Sequence, residues 1–131
     1  MNPTILVVED DDVIRELLTD LLESEGYAVR AASDGQEALD CLPSVSPDLI
    51  ISDLVMPKVD GLQLRTAARE SGCPARFILM SAMRRFGPWQ DAVFLPKPFE
   101  IEKLLSLVEH ELAAPRLALD RQQATPRGVR R

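Results

Sequence analysis

Leu49-Ile50-Ile51-Ser52-Asp53-Leu54-Val55-Met56-Pro57-Lys58-Val59-Asp60-Gly61 is the stretch on which the reading of this chain turns. An apolar run ends in Ser52-Asp53, a loop carries Pro57 and Asp60-Gly61, and a helical pattern follows. An apolar run without alternation fits a strand covered on both faces. Asp53 then stands at the carboxyl end of a central strand, the edge where open parallel sheets bind ligands. By itself such an aspartate says little, because loop-capping aspartates are common. What stands at the ends of the other strands decides its meaning.

Working outward, Ile5–Val8 is a second buried strand, and it runs into Glu9-Asp10-Asp11-Asp12. Asp11 or Asp12 can cap the following helix. That helix sets Val13, Ile14, Leu17, Leu18, Leu21 and Leu22 at core-facing spacing and stops at Gly26. Tyr27–Ala32 is a weaker strand whose Arg30 suits a sheet edge. Ser33-Asp34-Gly35 makes a turn, Gln36–Leu42 a short helix, and Pro43 and Pro47 bracket a loop before the strand Leu49–Ser52. A helix after Gly61 carries Leu62, Leu64, Ala67 and Ala68 and ends at Ser71-Gly72. Arg76–Met80 and Ala92–Leu95 complete the strands, ending in Ser81-Ala82 and Pro96-Lys97-Pro98. The last helix, Glu100–Ala114, turns Ile101, Leu104, Leu105, Val108 and Leu112 inward.

Strands alternating with helices predict an α/β fold, a doubly wound parallel sheet. Right-handed crossovers favour the flavodoxin-like, five-stranded order 2-1-3-4-5. The fifth strand is then an edge, which tolerates Pro96.

Composition sets the outer limits. The 131 residues suffice for one domain, and 46% hydrophobic with 27% charged content is ordinary for a globular protein. The expected division is a folded domain over 1–114 and a basic, flexible tail over 115–131. The tail holds five arginines against one aspartate, a charge of +4, so −10 of the net −6 falls on the first 114 residues. Such an acidic body argues against nucleic-acid binding by the domain itself. Cys41 and Cys73 lack metal-ligand spacing and are expected to pack as thiols. No apolar run approaches a membrane span, and no secretory signal is visible. The expectation is a cytoplasmic protein with no membrane partner.

In that strand order the carboxyl ends bring together Glu9, Asp10, Asp53, Ser81 and Lys97. Three carboxylates in one pocket repel one another and raise each other's pKa. A hard divalent cation resolves this, and Mg2+ prefers one or two carboxylates, waters and phosphate oxygens. The absence of nearby Cys or His argues against zinc or copper. A lysine and a hydroxyl suit the oxygens of a phosphoryl group. A carboxylate beside a metal can act as the nucleophile and form an aspartyl phosphate.

Four ordered segments now carry a resemblance: Ile5-Leu6-Val7-Val8-Glu9-Asp10-Asp11, Ser52–Gly61, Met80-Ser81-Ala82 and Lys97-Pro98-Phe99. Together they resemble the receiver domain of two-component response regulators, over residues 4–114, with a chemotaxis-regulator-like single-domain fold. The resemblance implies that Asp53 is the phosphoacceptor, served by a histidine kinase or a histidine phosphotransfer protein in a two-component or phosphorelay pathway. It implies that Asp10 binds Mg2+ directly, Glu9 mainly through metal-bound water, and Val55 through its backbone carbonyl. Lys97 matches the family's lysine, with a cis bond before Pro98. Ser81 matches the switch hydroxyl, and Phe94 the aromatic that turns inward with it. The chain would not be an enzyme with a separate substrate, although it would assist its own phosphorylation and dephosphorylation. As a monomer or weak dimer it would signal by contact with an unknown downstream protein.

The departure from the family lies between Ser81 and Lys97. Met83–Asp91 contains Gly87-Pro88, which breaks a helix, so the fourth helix of the usual five is expected to be shortened or missing. Arg84, Arg85, Phe86 and Trp89 could form a partner patch or a loop over the sheet edge. Val55 and Met83 match positions that tune water access to the acyl phosphate, and both are bulky and apolar, which suggests slow self-hydrolysis. His110, between Glu109 and Glu111, is expected to be solvated. Two rival readings stand beside the receiver: a docking module that needs no phosphate, and a flavin or nucleotide binder. The second lacks a glycine-rich loop after the first strand.

Overall fold

The strand β3, Leu49–Asp53, is buried at all five residues. This is what an unalternating apolar run requires of a strand with neighbours on every side. The computed structural model describes residues 2–82 and 92–114. Around β3 lie β1 (Thr4–Val8), α1 (Asp12–Ser24), β2 (Ala28–Ala32), α2 (Gly35–Val45), α3 (Gly61–Glu70), β4 (Arg76–Ser81), β5 (Ala92–Pro96) and α4 (Ile101–Ala113). The five strands form one sheet in the order β2-β1-β3-β4-β5, with all four pairings parallel. This is the flavodoxin-like arrangement that the alternation predicts.

Alternate residues of the inner strands feed two cores. Leu6, Val8, Ile50, Phe77 and Leu79 pack with Ala38 and Leu42 of α2 and Leu64 and Ala68 of α3. Ile5, Val7, Leu49, Ile51, Ile78 and Met80 pack with Leu18 and Leu22 of α1 and Leu104 and Val108 of α4. The period of two along a strand thus serves helices on both faces. Burying each large aliphatic side chain contributes about 1.5–3 kcal/mol. Cys41 and Cys73 are half-buried against the first core, as packing residues. Burial pushes the Cys41 thiol above its ordinary pKa, which makes it less reactive.

Each of the first three helices starts on an aspartate. Asp11, rather than Asp12, caps α1 and accepts from the N–H groups of Val13 and Ile14 at 2.9 and 3.1 Å. Asp34 caps α2. Asp60 and Gln63 form a reciprocal capping box on α3.

Several expectations need correction. α2 does not stop at Leu42 but passes through Pro43 to Val45. A proline this near the end removes a single helical bond, and the last turn closes with Ser46 N–H on the Leu42 carbonyl. Ser46, in the left-handed conformation, ends the helix one residue before Pro47. Val13 and Leu17 are exposed, not core. At about 100° per residue they lie roughly 140° and 100° from Leu18, outside the stripe held by Leu18 and Leu22. Ile101 is also exposed; it is the first residue of α4 and has no preceding turn to cover it. The expected shortening of the fourth helix, Met83, the Arg84–Trp89 patch and the tail 115–131 lie outside the described residues.

Candidate functional site

The strand register decides what meets at the carboxyl edge. β1 pairs as far as Val8 with Ser52, and β3 as far as Asp53 with Met80. Glu9-Asp10 therefore leaves β1 alongside Asp53, and Ser81 leaves β4 one residue beyond Asp53's partner. β5 pairs Ser81 with Pro96, which delivers Lys97 to the same edge. The Lys97 N–H donates to the Ser81 carbonyl at 2.8 Å, and the Lys97-Pro98 peptide is cis.

From there Lys97 Nζ reaches Glu9 Oε1 at 3.1 Å and Asp53 Oδ2 at 3.3 Å. Glu9 is buried and its other oxygen accepts from the Asp11 N–H at 3.1 Å. Asp53 is buried, and Asp10 is exposed. Glu9, Asp10 and Asp53 can each offer one carboxylate oxygen with all three within 4.8 Å of one another.

The charges follow from this packing. Burial raises the Glu9 carboxyl above its ordinary pKa, and the Asp11 N–H and Lys97 only partly oppose it. Burial likewise raises Asp53; Lys97 pulls it down and Asp10 pushes it up again. Burial alone would lower Lys97, but Asp53 and Glu9 raise it, so the ammonium stays charged. One lysine thus compensates two buried acids, while the third faces solvent. The site is a shallow negative rim with an internal cation.

The backbone beneath Asp53 is rigid. Leu54 N–H donates to the Met80 carbonyl at 2.7 Å, and Gly61 N–H to the Leu54 carbonyl at 2.8 Å. The loop between them is pinned at both ends, with Lys58 at φ 70° inside it. Gly61 is required by contact: a Cβ there would lie 2.7 Å from the Asp53 carbonyl oxygen and 2.9 Å from the Leu54 Cα.

The structure therefore brings together Glu9, Asp10, Asp53 and Lys97, with Ser81 buried at the next strand end. Val55 lies two residues past β3 and is 62% exposed. Phe94 sits half-buried on β5, opposite Leu79. His110 is exposed, as expected. Two residues without a role in the sequence analysis make ion pairs, Arg15 beside the site and Arg76 at the opposite, amino edge of the sheet. Arg15 donates from Nη1 to the Glu9 carbonyl at 2.8 Å and from Nη2 to Asp12 Oδ1 at 2.5 Å. Arg76 pairs with the buried Glu111 at 2.7 Å, tying β4 to α4. The i,i+3 spacing of Asp12 and Arg15 was the available signal for the first; nothing local signals the second.

Comparisons with known proteins agree with this geometry. The family described as the response regulator receiver domain matches residues 5–109. The response regulator MprA of Mycolicibacterium vanbaalenii is 37% identical over 112 residues, covering 81% of this chain and 48% of that protein. The chain thus spans about half the length of the curated relatives it matches. The receiver domain of the hybrid histidine kinase CckA superposes with a TM-score of 0.74 at 37% identity, covering 83% of this chain and 98% of that one. The response regulator TrrA of Thermotoga maritima, in complex with Mg2+ and BeF, gives 0.74 at 34% identity over 82% of this chain and 97% of that one. Among the described residues no helix is long and apolar enough to cross a membrane. Fold, strand-end acids and relatives converge: the chain belongs to the receiver-domain family of two-component response regulators.

Proposed function

We propose that this chain is a phosphoacceptor that takes a phosphoryl group on Asp53 from a phosphohistidine, in a Mg2+-dependent reaction, and signals by protein contact. The observation that carries the reading is the single ammonium of Lys97 spanning Glu9 and Asp53 beside Asp10. The donor set fits the metal: three hard oxygens, two buried, gather where one lysine compensates them incompletely. Glu9, Asp10 and Asp53 would hold Mg2+, with the Val55 carbonyl as a further ligand. Bound there, the ion would offset negative charge on the phosphoryl oxygens.

A carboxylate oxygen of Asp53 forms a bond to phosphorus as the phosphorus–nitrogen bond of the donor breaks. The leaving imidazole keeps the electron pair and takes a proton from solvent. Lys97 stabilises the transferring oxygens by charge and then pairs with the phosphorylated aspartate. Ser81 donates its hydroxyl to a phosphoryl oxygen, and Phe94 repacks with it as the switch. The donor is a histidine kinase or a histidine phosphotransfer protein. The chain acts on no separate substrate, and the region 1–114 carries the function.

Intact mass after incubation with acetyl phosphate and Mg2+ tests the proposal, beside an Asp53→Asn control. A single phosphoryl adduct, lost in the control and without Mg2+, is expected. A folded protein that takes no adduct from either acetyl phosphate or phosphohistidine donors would turn the reading to a docking module that needs no phosphate.

A further inference from the structure

Arg15 stands where the helix dipole and the neighbouring acids pull in opposite directions. It lies in the first turn of α1, where the helix dipole favours anions. Yet its side chain is only 22% exposed and folds back over the acidic loop. One guanidinium nitrogen holds the Glu9 carbonyl at 2.8 Å; the other rests on Asp12, a side chain 85% exposed. The ladder of β1 has already ended at Val8, so the Glu9 carbonyl has left the strand pairing. On the other side of that residue, Glu9 N–H is fixed to the Ala32 carbonyl at 3.1 Å.

The peptide held by Arg15 is the one that joins Glu9 to Asp10. The Glu9 carboxylate has its own anchors in Lys97 and the Asp11 N–H. The Asp10 carboxylate is exposed and takes no hydrogen bond among the described residues. The backbone alone therefore places its Cα–Cβ bond, and with it the reach of the carboxylate. We infer that Arg15 is a positioning residue: by clamping the Glu9–Asp10 peptide it aims the Asp10 carboxylate at a divalent cation. The inference rests on the proposed reading of the site as a Mg2+ centre.

Charge and positioning predict opposite signs, which makes the clamp testable. If Arg15 acted only as a nearby positive charge, its removal would tighten cation binding. If it acts as a clamp, removal weakens binding. The experiment is calorimetric titration of the full chain with MgCl2, for the unmodified protein, Arg15→Ala and Arg15→Lys. Outer-shell partners of metal ligands typically contribute at least about 10-fold in affinity, and a loss of that order is expected for Arg15→Ala. Arg15→Lys keeps one donor and should recover part of it. With acetyl phosphate, the alanine variant should need more Mg2+ but approach the unmodified rate at saturation. Should the alanine variant not fold, the lysine variant carries the same test, with an intermediate loss. Unchanged or tighter Mg2+ binding in the folded variants would overturn the inference. An unmodified protein that bound no Mg2+ would instead overturn the reading of the site on which the inference rests.

Discussion

Replacing Gly61 by alanine adds one methyl group at the junction of fold and chemistry. Its Cβ would stand 2.7 Å from the Asp53 carbonyl oxygen, 2.9 Å from the Leu54 Cα and 3.1 Å from a Leu79 methyl carbon. Ordinary contact begins at about 3.4 Å, so relief needs a shift of about 0.7 Å between the start of α3 and the end of β3. Neither side yields easily, because Leu54 is bonded to Met80 and Gly61 to Leu54. Overpacking of this kind costs about 1–3 kcal/mol, while alanine in a helix regains about 0.5–1 kcal/mol. The net loss of about 1–2 kcal/mol should lower Tm by roughly 3–10 °C for a domain of this size. The shifted atom belongs to the proposed acceptor. Since misplacement by about 1 Å can cost on the order of 100-fold in rate, a partial shift should slow phosphorylation about 10-fold. Circular dichroism melts and initial rates with acetyl phosphate measure the two effects. Gly26→Ala is the control: its φ of 97° is strained for alanine, but no atom lies within 4 Å of the new Cβ. It should lose stability and keep its rate. A Gly61→Ala protein that melted and reacted like the unmodified chain would refute the packing argument.

Other consequences follow from individual side chains. Lys58 holds φ at 70° and its ion pair with Asp34 is long and exposed at 3.9 Å, so relief of backbone strain outweighs the lost pair and Lys58→Gly should stabilise by about 0.5–1 kcal/mol in urea titration; a destabilised variant would contradict this. Glu9 and Asp53 have native pKa values raised by burial. Their contribution to stability is therefore full below the unfolded values and is lost as pH rises through the native ones. The metal-free protein gains from these two groups on acidification, and the rise in Tm produced by Mg2+ should shrink as pH falls and protons compete for the same carboxylates; a Mg2+ increment that stays constant on acidification would contradict the assignment. Lys97→Met leaves two buried acids without their cation. It should slow phosphorylation at least 10-fold, by analogy with the loss of one charge-stabilising donor of about 100-fold, while leaving or tightening Mg2+ binding; an unchanged rate would remove Lys97 from the chemistry. Polar residues in place of both Val55 and Met83 should speed loss of phosphate from the modified protein, followed by the decay of the adduct mass; an unaltered decay would sink the idea that these side chains exclude water.

The parts of this molecule legible in its sequence are those governed by local chemistry. The apolar runs at Ile5–Val8 and Leu49–Ser52 could only be buried strands, and the acids and lysine that follow strands could be placed once the order was known. What escaped the sequence depended on what lay across from a residue. Val13 and Leu17 carry the right spacing for a core face, yet the sheet covers only the stripe through Leu18 and Leu22. Pro43 looked like a stop because its context at a helix end was not visible. Glu111 reads as a solvated acid until Arg76, thirty-five residues away, is placed beside it. The spacing of Arg15 from Asp12 marks their ion pair, but no pattern of side chains marks the Glu9 carbonyl that Arg15 also holds.

The central claim is that Asp53 carries the phosphoryl group, and the most direct measurement locates that group on the chain. The full protein would be phosphorylated with Mg2+ and a phosphodonor and then treated with borohydride, which reduces an acyl phosphate at aspartate to homoserine. Peptide mass spectrometry would read the position. Homoserine at residue 53 alone, dependent on both Mg2+ and donor, is the predicted result. Homoserine at Asp10 or another acid, or phosphate retained on a serine or histidine, would contradict the account.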